Sequence, residues 1–181
     1  MHRSSDGGFT LIELLIVVAV IGIIAAIAIP GLLRARIAGN ESSAIGSLRV
    51  INSSQHAYQS SCGNGFYASS LLILADPAPS GAGFISPDLG AAAVVVKSGY
   101  RVTMAEGSEA TVALMDGCNP TGTAANLFSS YYASNTPITA NQTGTRWFFT
   151  NTTGAIFTAH TDAFASIHVG NSSPGAGAPL Q

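Results

Sequence analysis

Few side chains in this 181-residue sequence have the chemistry to act, and their spacing narrows what that chemistry is. One carboxylate, Glu13, stands in the run GGFTLIELLIVVAVIGIIAAIAIPGLL (residues 7–33), where no other residue is ionisable. Such a group needs either an interface or a cation, because holding it at the centre of a membrane costs roughly 2.5 to 3.5 kcal/mol. Cys62 and Cys118 are the only cysteines, and they form one disulfide or remain two thiols according to compartment. His160-Thr161-Asp162 offers two ligand types without a third at metal spacing, and the four histidines are dispersed. Asp76, Asp88, Asp116 and Asp162 are acceptable calcium ligands by type, but no dense run of oxygen ligands accompanies them. No nucleophile, base and orienting residue stand out together, so we expect no catalytic residue, no metal and no cofactor.

Composition limits the partners as well. Charged residues make up 9% of the chain, against about 25% in an ordinary soluble domain, and Gly, Ser, Thr, Asn and Ala take their place. With a formal net charge of -2 and seven scattered Lys and Arg residues, nothing favours nucleic acid, whose phosphates call for clustered cations.

The elements that must position Glu13 begin with a helix. Residues 9–33 give roughly 37 Å of helix at 1.5 Å per residue, enough to cross a hydrocarbon core of ~30 Å. Gly22 and Pro30 weaken the helix between them and make that stretch the easiest to bend or unwind. Past Pro30, Leu33, Ile37, Ala44, Leu48, Ile51 and Tyr58 recur at helical spacing, predicting an amphipathic continuation that stops near Ser60 or Ser61, before Cys62-Gly63-Asn64-Gly65. Its apolar face calls for a sheet, predicted from residues 99–105, 110–115, 127–134, 146–150 and 155–159, with a hairpin turn at Asn151-Thr152-Thr153-Gly154. Predicted strand aromatics include Tyr131, Tyr132, Trp147, Phe148, Phe149 and Phe157, which alternation divides between core and surface. Short helical turns are expected at residues 71–75 and 88–96, and the end of the chain has the composition of a flexible tail.

Gly8-Phe9-Thr10-Leu11-Ile12-Glu13, followed by the apolar run and Pro30, resembles the type III signal of type IV pilins and pseudopilins. The resemblance covers about the first sixth of the chain. It implies an α+β, pilin-like fold: a long N-terminal helix, membrane-spanning in its first half, packed on a small antiparallel β-sheet. It further implies a leader (residues 1–8) removed between Gly8 and Phe9 by a prepilin peptidase, and methylation of the new amine of Phe9. The remaining divisions are then a transmembrane and polymerisation helix (9–33), its amphipathic continuation (34–61), a β-sheet domain (62–168) and the tail (169–181). The implied function is that of a structural subunit of a type IV pilus-like filament, a helical homopolymer in which Glu13 meets the Phe9 amine of a neighbour. Gly22 and Pro30 would give helix flexibility in that filament. The implied partners are the peptidase, an inner-membrane assembly platform, a cytoplasmic assembly ATPase, and membrane lipid before assembly.

The same resemblance places the precursor in the inner membrane and the sheet domain outside the cytoplasm, where Cys62 and Cys118 are expected to pair. A pseudopilin of a type II secretion system, in a periplasmic filament, shares this leader chemistry. A membrane-anchored protein that binds a ligand or DNA and never polymerises is the alternative of another class. Residues 1–8 carry only Arg3 and His2 as basic residues, opposed by Asp6, while Arg34 and Arg36 lie beyond the apolar run, against the positive-inside tendency. Orientation therefore rests on the cleavage motif more than on charge.

Overall fold

The computed structural model describes residues 8–79, 81–108, 110–160 and 177–180. The chain divides into two compact units, Met1–Arg36 and Ile37–Gln181. Helix α1 (Leu11–Ser61) is unbroken and contains Pro30 within it. In the first unit every Leu, Ile and Val between Leu11 and Leu33 is exposed.

In the second unit the same helix buries one stripe. Glu41, Ala44, Leu48, Ile51, Gln55 and Tyr58 recur at alternating steps of three and four residues, which keeps them on one face, and all are buried. The helix ends at Ser61, and Asn64 and Gly65 follow with φ of 52° and 90°, the left-handed turn expected there.

The face packs on an antiparallel sheet of six strands in the order β2-β3-β5-β6-β7-β8. These are β2 (Val94–Lys97), β3 (Tyr100–Glu106), β5 (Tyr131–Pro137), β6 (Trp147–Asn151), β7 (Ile156–Ala159) and β8 (Ala178–Pro179). A small pair, β1 (Tyr67–Ala68) with β4 (Leu127–Phe128), and the short helix α2 (Leu71–Ala75) complete the unit. Leu48, Ile51, Tyr58, Leu71, Leu74, Tyr100, Leu127, Tyr131 and Phe148 form the main core. Strand alternation sends Phe149 and Phe157 into a second cluster with Tyr132 and Trp147. The hairpin at residues 151–154 turns on Gly154 at φ 75°.

Three expectations need correction. Residues 110–115 form no strand, only an isolated bridge between Val112 and Phe128, because both sides of β3 are already taken by β2 and β5. Residues 88–96 are not helical where Val94–Val96 pair with β3. Ser98 and Gly99, at φ 49° and 73°, make the two-residue hairpin that favours paired positive-φ residues. The span 127–134 breaks at Ser129-Ser130, where the chain passes from the two-stranded sheet to the larger one. Of the tail, residues 169–176 lie outside the described residues, while Ala178–Pro179 pair with β7 and Leu180 packs against the core.

Polar groups on the buried stripe are matched by partners from the sheet and loops. Glu41 accepts from Thr145 N (2.9 Å), Thr145 Oγ1 (2.8 Å) and Arg146 Nε (2.8 Å), with Arg146 Nη2 at 2.7 Å. Asn52 donates to Gly154 O and accepts from Tyr131 and Thr150, while Gln55 bonds both the N–H and the carbonyl of Ala68. Tyr58 donates to Asn119 Oδ1, and burial followed by the nearby Asp76 charge pushes its hydroxyl pKa up to about 12. The Cys62 and Cys118 sulfurs are bonded, with Cα atoms 4.8 Å apart, tying the end of α1 to the loop before β4. Closing a loop with a sequence separation of 56 is worth about 4 kcal/mol in the chain-entropy model.

Burial raises the Glu41 pKa, but the hydrogen bonds from Thr145 and Arg146, with the Arg146 charge, outweigh it and leave the carboxyl below its ordinary 4.5. A depressed folded-state value means that the stabilisation is complete above the unfolded value and is lost as pH falls through the folded one. We therefore expect Glu41→Gln to cost about 2 kcal/mol at neutral pH. It should also flatten the loss of stability below the ordinary glutamate range. Urea unfolding of the full chain in detergent across that acid range measures both.

Candidate functional site

The residues singled out at the N-terminus gather on the first turn of α1. Thr10 is the residue before the helix, and Glu13 is its third helical position. Glu13 Oε2 accepts from Thr10 N at 2.9 Å and Thr10 Oγ1 at 2.7 Å, while Glu13 N donates to Thr10 Oγ1 at 3.3 Å. This is a capping box, two otherwise unmet N–H groups satisfied reciprocally, with a carboxylate at the positive end of the helix dipole. The sequence reading missed Thr10, although the signal was present as T-x-x-E ahead of an apolar run. Only Oε2 is used; among the described residues Glu13 Oε1 has no partner.

Phe9 is 85% exposed, so the Gly8–Phe9 bond and its flanking side chain are open to another molecule. A Cβ placed on Gly8 or on Gly22 would meet nothing within 4 Å. Among the described residues, neither glycine is therefore demanded by packing. Pro30 leaves α1 continuous here, and the structure brings neither Gly22 nor Pro30 to any site.

The other candidates do not converge. Asp76 accepts from Thr121, Asp88 pairs with Lys97, and Asp116 accepts from Ala124 N. Hydrogen bonding from Lys97, then Ser86, holds the Asp88 carboxyl down at about 2. Among the described residues no three His, Cys, Asp or Glu side chains gather where they could hold a metal. His160 is exposed, and Asp162 lies outside the described residues.

What the N-terminal residues can do follows from the helix that carries them. No part of its apolar stretch is buried, so by length and composition it is able to cross a membrane. An exposed apolar helix capped by Thr10 and Glu13, continuing into a helix packed on antiparallel sheets, is an α+β, pilin-like arrangement and fits a membrane-anchored precursor. Residues 3–29 match the prokaryotic N-terminal methylation motif, the prepilin-type cleavage and methylation signature of type IV pilins and pseudopilins. No curated protein and no solved structure matches the chain.

The capping box makes Thr10 the residue on which the first turn depends. Thr10→Ala should remove about 1 kcal/mol from that turn and speed amide exchange at Glu13 and Leu14 about fivefold, whereas Thr10→Ser should leave it nearly unchanged. Hydrogen exchange by NMR in detergent micelles is the measurement.

Proposed function

We propose that this chain is the structural subunit of a type IV pilus-like filament. The observation that carries the reading is the methylation motif at residues 3–29 set on an apolar helix whose large aliphatic side chains are exposed. In this reading a prepilin peptidase cuts between Gly8 and Phe9 and methylates Phe9, with residues 1–8 as the discarded leader. The exposed Phe9 and the unconstrained Gly8 support it, since a residue that packing does not require is free to be chosen by an enzyme.

Subunits then leave the membrane and polymerise through residues 9–33. The free Oε1 of Glu13 accepts the Phe9 amine of a neighbour, while the segment between Gly22 and Pro30 unwinds where stacking requires it. The inner-membrane platform and cytoplasmic ATPase supply the machinery and the work, and the chain itself performs no chemistry. Residues 34–61 and 62–168 form the outward domain that the Cys62–Cys118 bond staples.

The Glu13 pair sets register, while apolar packing provides most of the cohesion. Expressed with the peptidase and assembly machinery, the chain should lose residues 1–8 and gain one methyl group, read by mass spectrometry. Glu13→Ala should still be cut, yet reduce filaments sheared from cells by about tenfold or more, a loss of roughly 1.4 kcal/mol at each contact. Unchanged filament yield from Glu13→Ala would overturn the mechanism. A processed chain that never polymerises would favour the anchored binding protein, and filaments confined to the periplasm the pseudopilin.

A further inference from the structure

Arg34 and Arg36 find no use in the function just described, and they sit against the usual charge bias of membrane proteins. Both are exposed, one and three residues past Leu33, the last residue of the apolar run. Among the described residues neither has a hydrogen bond, an ion pair or a ring contact. Their own helix offers nothing: no Asp or Glu occurs between Glu13 and Glu41, and Glu41 is buried with its oxygens committed to Thr145 and Arg146.

The spacing from Glu13 is the second observation. Residues 13 and 34 lie 21 positions apart on one continuous helix, roughly 31 Å at 1.5 Å per residue, close to the ~30 Å thickness of a hydrocarbon core. No ionisable residue falls between them. A bilayer that meets Glu13 at one interface therefore meets Arg34 at the other, and Arg36 stands one step further out.

We propose that Arg34 and Arg36 form a cationic collar that binds the phosphate headgroups of anionic lipids in the leaflet at the far end of the span. This rests on the membrane-anchored state of the precursor and not on filament assembly. Phosphate fits the guanidinium fork, and long cationic side chains reach along the helix to an interface readily.

Carboxylates of a second copy are a poorer match by supply. Among the described residues, Arg34, Arg36, Arg49 and Arg101 have no anionic partner, whereas Glu106 is the one carboxylate with no hydrogen bond or ion pair. Residues two apart on a helix point to different sides, so the two arginines take separate headgroups instead of clamping one. The collar fixes the depth of the helix and, with it, the interfacial position of Glu13. It also opposes exit of the subunit from the bilayer until those phosphates are released.

The uncut full chain, reconstituted in phosphatidylcholine vesicles, tests this with trace spin-labelled phosphatidylglycerol or spin-labelled phosphatidylcholine as probes. The motionally restricted lipid fraction is read by electron paramagnetic resonance. Phosphatidylglycerol should be preferred by about fivefold at each arginine site, the equivalent of ~1 kcal/mol per cation near an anionic surface, and less so in high salt. Arg34→Gln and Arg36→Gln should each remove about half of the restricted phosphatidylglycerol attributable to the collar, and together all of it. The double Arg→Lys variant should keep most of it. Arg3 is common to every variant and cancels in the comparison.

An unchanged preference in the double Arg→Gln variant would sink the proposal. If that variant kept the lipid preference but lost filament yield, the partner would be a carboxylate on another copy. Displacement of the labelled lipid by inorganic phosphate in the buffer would also overturn it, by making the site one for free anions.

Discussion

One unbroken helix here obeys two solvents. Between Leu11 and Leu33 fifteen Leu, Ile and Val side chains are exposed, while between Glu41 and Tyr58 a narrow stripe is sealed against a sheet. At about 1.5 to 3 kcal/mol for each large aliphatic side chain taken out of water, the exposed set represents on the order of 20 to 45 kcal/mol awaiting an apolar environment. A single ion pair is worth far less after desolvation. Apolar surroundings must therefore supply the energy, and charged groups decide only where along the helix it is collected.

The sheet-packed part of α1 solves a different problem. A stripe of small and aliphatic residues at steps of three and four, such as Ala44, Leu48 and Ile51, looks alike after a shift of one heptad, so apolar burial alone specifies register weakly. Glu41, Asn52, Gln55 and Tyr58 interrupt the repetition with groups that are satisfied in only one register, by Thr145 and Arg146, Gly154 and Tyr131, Ala68, and Asn119. Misplacing them would bury polar atoms without partners, at about 1 to 3 kcal/mol each. The disulfide from Cys62 adds a covalent limit at the end of the same helix.

The helix, its end at Ser61, the hairpin at residues 151–154 and the alternation of Phe148 and Phe149 were legible because each depends on neighbours in sequence. What escaped depends on distant residues. Glu41 falls on the apolar face by spacing, but a carboxylate is seldom buried unless paired, and only Arg146, 105 residues away, supplies that pairing. Residues 110–115 have strand composition, but a strand also needs a vacant sheet edge, and β2 occupies the one beside β3. The β2–β3 hairpin is legible in principle, since Ser98-Gly99 between two β-branched runs is a turn signal, although residues 88–96 taken alone suggest a short helical turn. The last strand, Ala178–Pro179, lies in a Gly-, Ser- and Pro-rich stretch where composition points to a loose end and only pairing with β7 shows otherwise.

Glu13 has one partner inside the chain, Thr10, and in the proposed filament a second outside it. The two are compatible because a carboxylate has two oxygens. Oε2 closes the helix terminus through Thr10, which gives Glu13 a local anchor as soon as the helix forms. Oε1 stays available, held by that anchor at a fixed position on the first turn. A carboxylate left to rotate in search of an amine would lose side-chain entropy on pairing; one already fastened by its other oxygen has given up that freedom when the helix folds. In the filament proposed above, the capping box would keep Glu13 on the first turn and leave it preorganised for the amine that cleavage at Gly8 would create.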